Sequence, residues 1–91
     1  MGLRITPTRR LLLQAAADGR VVCVPAIGLS LRRHGGVALL VDEAGVQVRG
    51  VTGPTVLLRR HGLLALSREA HPSYPDGCLL RLTPAGVDAL A

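Results

Sequence analysis

The amino-acid sequence predicts a single α+β domain, in which a helix, several strands, a second helix, a hairpin and a third helix follow one another. Three observations predict it. Thr6-Pro7, Thr52-Gly53-Pro54 and Thr83-Pro84 each place a threonine just ahead of a proline, the signature of a helix start. Runs rich in Val and Leu, which favour strands, lie between the first two starts and again before the third. A turn ending in glycine and a loop rich in Pro and Gly join neighbouring runs in the manner of hairpins.

The first helix spans Ile5 to Gly19. Thr6 caps it, Pro7 occupies its first position and Gly19 stops it. Leu11, Leu12, Ala15 and Ala16 form the expected buried stripe, with Leu13 at its edge. Arg9 and Arg10 sit in the first turns, where the helix macrodipole disfavours cations, and this favours contact with an anion.

Residues 20–50 read as strands. Val21 to Val24 end at Pro25, and Val37 to Val41 is a nearly continuous apolar run. Val46 and Val48 alternate with Gln47 and Arg49, and Asp42-Glu43-Ala44-Gly45 is the turn between these two runs. Leu29 and Leu31 alternate with Ser30 and Arg32, and Arg33-His34-Gly35-Gly36 reads as a turn. The alternative makes Ala26 to His34 a helix stopped by Gly35, against which Gly28 counts.

The second helix lies within Val51 to Leu64. Thr52 is its expected N-cap, Val51 and Val56 form a hydrophobic staple, and Gly62 takes the left-handed position that ends it. At about 3.6 residues per turn, Val56, Leu57 and Leu58 form one apolar arc, expected to face inward. Thr52, Thr55 and Arg59 fall opposite, flanked by Arg60 and His61. A short helix with Thr and Arg outward suits a DNA groove; a solvated face is the competing reading. Leu64 to Ser67 and Cys78 to Leu82 are two further strands around an exposed loop, Arg68 to Gly77. Thr83 and Pro84 open the last helix, with Val87 and Leu90 expected inward.

Composition narrows the function. The chain has 91 residues and a formal charge of +5, and every basic side chain apart from its histidines is Arg. A GC-rich genome explains Arg in place of Lys, but not the positive excess, which favours a polyanionic partner. Tyr74 is the only aromatic residue, too few for the stacking platforms that single strands need. No apolar run spans a membrane and no signal-peptide pattern is present, so the expected location is cytoplasmic, with no membrane partner. His34, His61 and His71 are widely spaced without Cys or His neighbours, so no metal is expected. Ser30, Ser67 and Ser73 lack a nucleophile elbow, and Gly35-Gly36 is not a phosphate loop, so neither an enzyme nor a cofactor is expected. Cys23 and Cys78 each sit in a strand-like run and read as reduced core thiols, with a disulfide between two strands as the alternative.

Two motifs carry a family resemblance. Leu58-Arg59-Arg60-His61-Gly62-Leu63-Leu64 is similar to the end of the recognition helix in winged helix-turn-helix regulators of the MarR and PadR type. Leu82-Thr83-Pro84-Ala85-Gly86-Val87-Asp88-Ala89-Leu90 is similar to the close of their wing and the helix that follows. The resemblance covers roughly residues 51 to 90, and Thr6 to Asp18 looks like the first helix of such domains. It implies one winged-helix domain over 1–91: first helix 1–19, strands 20–50, recognition helix 51–62, wing 63–82 and C-terminal helix 83–91. It also implies DNA contacts from Thr52, Thr55, Arg59, Arg60 and His61 on the recognition helix, and from Arg68 and His71 on the wing. The chain departs from the family in placing a hairpin, Val37 to Arg49, where a positioning helix is usual, and in lacking long dimerisation helices. Small proteins of phage and mobile elements often take this reduced form.

The expected function is therefore double-stranded DNA binding, as a small transcriptional regulator or an architectural factor in recombination. Arg9, Arg10, Arg32 and Arg33 would extend the basic footprint over phosphates. The alternative is a winged-helix module that binds a protein, for example a phage protein on a host protein, and charge alone would also suit RNA or a ribosome. An unpaired strand in the N-terminal half would allow a homodimer by edge pairing.

Overall fold

The computed structural model describes residues 3–24 and 36–91. The strand-or-helix alternative at Ala26 to His34, and the candidate contacts Arg32 and Arg33, lie outside the described residues. In chain order the elements are α1 (Pro7–Ala17), β1 (Val21–Val24), β2 (Val37–Val41), β3 (Gln47–Gly50), α2 (Thr52–Arg60), β4 (Leu64–Leu66), β5 (Cys78–Leu82) and α3 (Pro84–Leu90). The α+β class is as the sequence predicts. The strands, however, do not form separate hairpins. They join in one five-stranded sheet in the order β3-β2-β1-β5-β4, with every neighbour antiparallel.

The helix boundaries follow from local chemistry. Thr6 accepts a hydrogen bond from the Arg9 N–H at 3.3 Å, and Thr83 accepts one from the Gly86 N–H at 3.1 Å, so each caps a helix with proline in its first turn. α1 and α2 end in the same way. Gly19 at φ +74° and Gly62 at φ +72° take the left-handed position. In α1, Gly19 N–H donates to Ala16 O and Arg20 N–H to Ala15 O; in α2, Gly62 N–H donates to Arg59 O and Leu63 N–H to Leu58 O. These paired bonds satisfy the last carbonyls of each helix.

The three helices of the described residues all pack on one face of the sheet. Leu12, Leu13, Ala15 and Ala16 of α1 and Leu58 of α2 cluster there with Val21, Cys23, Ala38, Leu40 and Leu80 from the strands. Two expectations for the helices are corrected. Leu11 is exposed while Leu13 is fully buried, because the buried stripe of α1 runs through Leu12, Leu13, Ala15 and Ala16. Val87 of α3 is also exposed; Leu90 packs against the core as expected, and Ala89 takes the place of Val87 beside it.

The opposite face carries Val22, Leu39, Val41 and Leu79, with Val24, Val37 and Tyr74 packed against them. Its cover is the segment 67–77. Beyond β4 the chain turns back, with Ser67 N–H donating to Leu79 O at 3.0 Å and Leu79 N–H to Glu69 O at 2.8 Å. Tyr74 then lies on the apolar face. Gly77 lets the chain pass so close that a Cβ there would stand 2.9 Å from the Cys23 carbonyl oxygen. At Gly45, in the β2–β3 turn, a Cβ would stand 2.9 Å from His71 Cε1 and would also meet Ser73. The loop expected to project therefore lies folded across the sheet, because β1, β2 and β5 expose a second apolar surface that needs cover.

Candidate nucleic-acid interface

α2 follows β3 directly and is anchored by a hand-over from the sheet. Val51 N–H donates to Ala38 O at 2.8 Å, and the Thr52 hydroxyl accepts from Ala38 N–H at 3.0 Å. Thr52 is thus the first helical residue rather than the N-cap. Val51 holds the cap position, and no side chain caps the helix. The Thr52 hydroxyl instead satisfies a β2 N–H that β3 no longer reaches.

The facing of α2 also differs from the expectation. Thr55 is only 1% exposed, and Leu58 is 0% exposed. The Thr55 hydroxyl donates to Val51 O at 2.9 Å and Thr52 O at 3.0 Å, so its polar atom is satisfied within the helix and its methyl group packs as an apolar one. Val51, Thr55 and Leu58, spaced i, i+4 and i+7, make the buried side. The outward side is Gly53, Val56, Leu57 and Arg60, in which the two apolar residues are only half-buried. Thr55 is therefore removed from the exposed face. Arg59 is half-exposed on one flank beside Thr52, and His61 is exposed at the helix end.

The remaining expected contacts divide. Arg68 is exposed just beyond β4. His71 is carried by the folded-over loop to a cleft of about 370 Å³ shared with Asp18, Gly19, Arg20, Asp42 and Glu43. Its Nδ1 accepts from Ser73 N–H at 3.0 Å, and its ring meets Tyr74 edge-on with centroids 5.9 Å apart. His71 thus lies among carboxylates instead of at a projecting tip. Arg9 donates from Nη1 to the Arg4 carbonyl at 2.7 Å, and Arg10 donates from Nη2 to the Leu90 carbonyl at 2.8 Å. The negative C-terminal end of α3 accounts for Arg10 at the start of α1 without an external anion.

Among the described residues, two arginines are neutralised by carboxylates. Arg20 pairs with Asp18 at 3.6 Å, and Arg81 pairs with Glu69 at 2.7 Å. The hydrogen bond from Arg81, and then its charge, hold the Glu69 carboxyl below the usual carboxylate range. By contrast, Arg49, Arg59, Arg60 and Arg68 make no ion pair among the described residues. They belong to a stretch, Val46 to Arg68, that contains no Asp or Glu at all. Arg49 was not an expected contact. It stands opposite Leu40, on the helix-bearing side of the sheet, immediately before α2. The absence of carboxylates around it was the available signal.

Among the described residues, no group of three or more His, Cys, Asp or Glu side chains is placed to hold a metal ion, and no helix is long and apolar enough to cross a membrane. Comparison of the chain with known protein families, with curated proteins and with solved structures gave no match.

Proposed function

We propose that this protein binds double-stranded DNA through the side of the molecule that carries α2, as a small regulator or architectural factor without catalytic activity. The observation that supports this reading is the carboxylate-free stretch from β3 to the end of β4, with Arg49, Arg59, Arg60 and Arg68 unpaired among the described residues. Four unneutralised guanidinium groups on consecutive elements form an electrostatic footprint for phosphates. In this reading α2 is the groove element and Arg60 points outward from its middle line. Gly53 on the same line lets the helix backbone come close to the duplex. Arg49 and Arg68 flank it as phosphate contacts, and Thr55 and His71 take no part.

Fluorescence anisotropy with duplex DNA, single-stranded DNA and duplex RNA of one sequence tests the proposal. Preference for duplex DNA, weakening steeply with salt, is the expected result. Equal binding to all three would reduce the proposal to unspecific charge attraction.

A second reading rests on a different observation. Val56 and Leu57 lie on the outward side of α2, and Leu66 on the neighbouring β4 is 46% exposed. Apolar side chains bordered by Arg suit the core and rim of a protein interface. Absence of duplex binding at low salt would favour this reading.

A further inference from the structure

Cys23 on β1 and Cys78 on β5 stand directly opposite one another across the antiparallel pair at the centre of the sheet. Leu79 turns its main chain away from β1, its N–H donating to Glu69 O and its carbonyl accepting from Ser67 N–H. The main-chain groups of Cys78 therefore point to β1, so the two cysteines occupy a mutually hydrogen-bonded position. Such partners have Cα atoms about 5.5 Å apart, inside the range of about 4.4–6.8 Å that a disulfide bridges. As direct partners they share a face, the one that also holds Val21 and Leu80 beneath the helices. Both thiols are free; Cys23 is buried and Cys78 is half-exposed. Cys23 Sγ lies near Gly36, where a Cβ would stand 3.3 Å from it.

We propose that Cys23 and Cys78 are a dithiol–disulfide site, oxidised by a small external disulfide to a cross-link between β1 and β5. The half-exposed thiol starts the exchange. The Cys78 thiolate attacks one sulfur of the external disulfide, whose S–S bond breaks, and one thiolate leaves. Cys23 then gives up its proton and attacks Cys78 Sγ, and the second external thiolate leaves. Two electrons and two protons have passed to the external disulfide, which ends as two thiols. Burial, reinforced by Cys78, pushes the Cys23 thiol above its ordinary range, while the Arg59 guanidinium opposes the shift.

The full chain, treated with excess oxidised glutathione, quenched with acid and read by intact mass and peptide mapping, tests this. The expected product is lighter by two hydrogens and maps to a Cys23–Cys78 cross-linked peptide, formed faster in native buffer than in concentrated urea. Cys23→Ser should stop at a glutathione adduct on Cys78. A lasting adduct on the wild-type chain, a disulfide-linked dimer as the main product, or closure no faster folded than unfolded would overturn the proposal. The comparison of folded and unfolded wild-type chain decides the matter even if the Ser variant does not fold.

Discussion

Two neighbouring leucines on α2 should respond very differently to truncation. Leu58 is fully buried, within a cluster that includes Leu12, Leu13, Val51, Leu64 and Leu80. It also supplies the carbonyl that accepts Leu63 N–H at the end of the helix. Leu58→Ala removes this side chain and leaves a cavity, at a cost of roughly 2–5 kcal/mol. Leu57 is half-buried on the outward side, so Leu57→Ala forfeits only part of a transfer energy of about 1.5–3 kcal/mol, a loss of roughly 1 kcal/mol. For a domain of this size each kcal/mol moves Tm by about 4–8 °C. Leu58→Ala should therefore lower Tm by roughly 10 °C or more, and Leu57→Ala by only a few degrees. Urea and thermal unfolding followed by far-UV circular dichroism read both variants. Equal losses, or a larger loss at Leu57, would refute the facing of α2 on which the interface rests.

Other consequences follow from the same packing. Thr55→Val keeps the buried shape and removes a hydroxyl whose acceptors are carbonyls of its own helix, so stability should change by less than about 1 kcal/mol and duplex affinity not at all; a lost affinity would return Thr55 to the interface. Gly62→Ala meets open space but a φ of +72°, so chemical denaturation should register strain alone, about 1–2 kcal/mol. Gly86→Ala should cost more in the same assay, because its Cβ would collide with the Leu63 carbonyl oxygen. Glu69 has its folded pKa lowered by Arg81, so its stabilising contribution is present above the ordinary glutamate value of about 4.3 and fades as pH falls through the lower folded value. Glu69→Gln should therefore show a shallower loss of Tm than wild type over that acid range.

The sequence was most legible where structure is decided locally. The Thr-Pro starts at Thr6 and Thr83, and the glycine stops at Gly19 and Gly62, appear where the capping rules place them. The same physics explains the two motifs behind the winged-helix resemblance. Leu58, Gly62 and Leu63 are the parts of a left-handed helix stop, and Thr83, Pro84 and Gly86 are a cap, its proline and a close approach to Leu63. Any chain ending and starting helices at these points would favour such residues, so the motifs report helix boundaries before ancestry.

What the sequence hid depended on distant partners or on polar groups satisfied in place. Thr55 reads as polar in any periodicity count, yet its hydroxyl is bonded within its own turn, and the buried side of α2 runs through Val51, Thr55 and Leu58 where Val56, Leu57 and Leu58 were expected. The pairing of β1 with β5 joins strands from opposite ends of the chain, and no local signal marks it. The run Val21–Val24 read as a strand, but its burial on both faces at the centre of the sheet became visible only with the pairing. The folding of the 67–77 loop over Val22 and Leu79 rests on Tyr74, Gly77 and Gly45, which look like ordinary loop and turn residues until the second apolar face is known. Arg49 read as one residue of an alternating strand, and only its carboxylate-free surroundings set it apart.

In the proposed function the arginines around α2 neutralise DNA phosphates. The most direct test is the slope of log affinity against log salt for a short duplex, measured for wild type and for Arg59→Ala/Arg60→Ala. Each phosphate contact contributes about 0.9 to that slope. The wild type should bind the duplex, and the double variant should show a slope shallower by about 1.8 with its unfolding transition unchanged. An equal slope in the two proteins, or no duplex binding by the wild type at low salt, would contradict it.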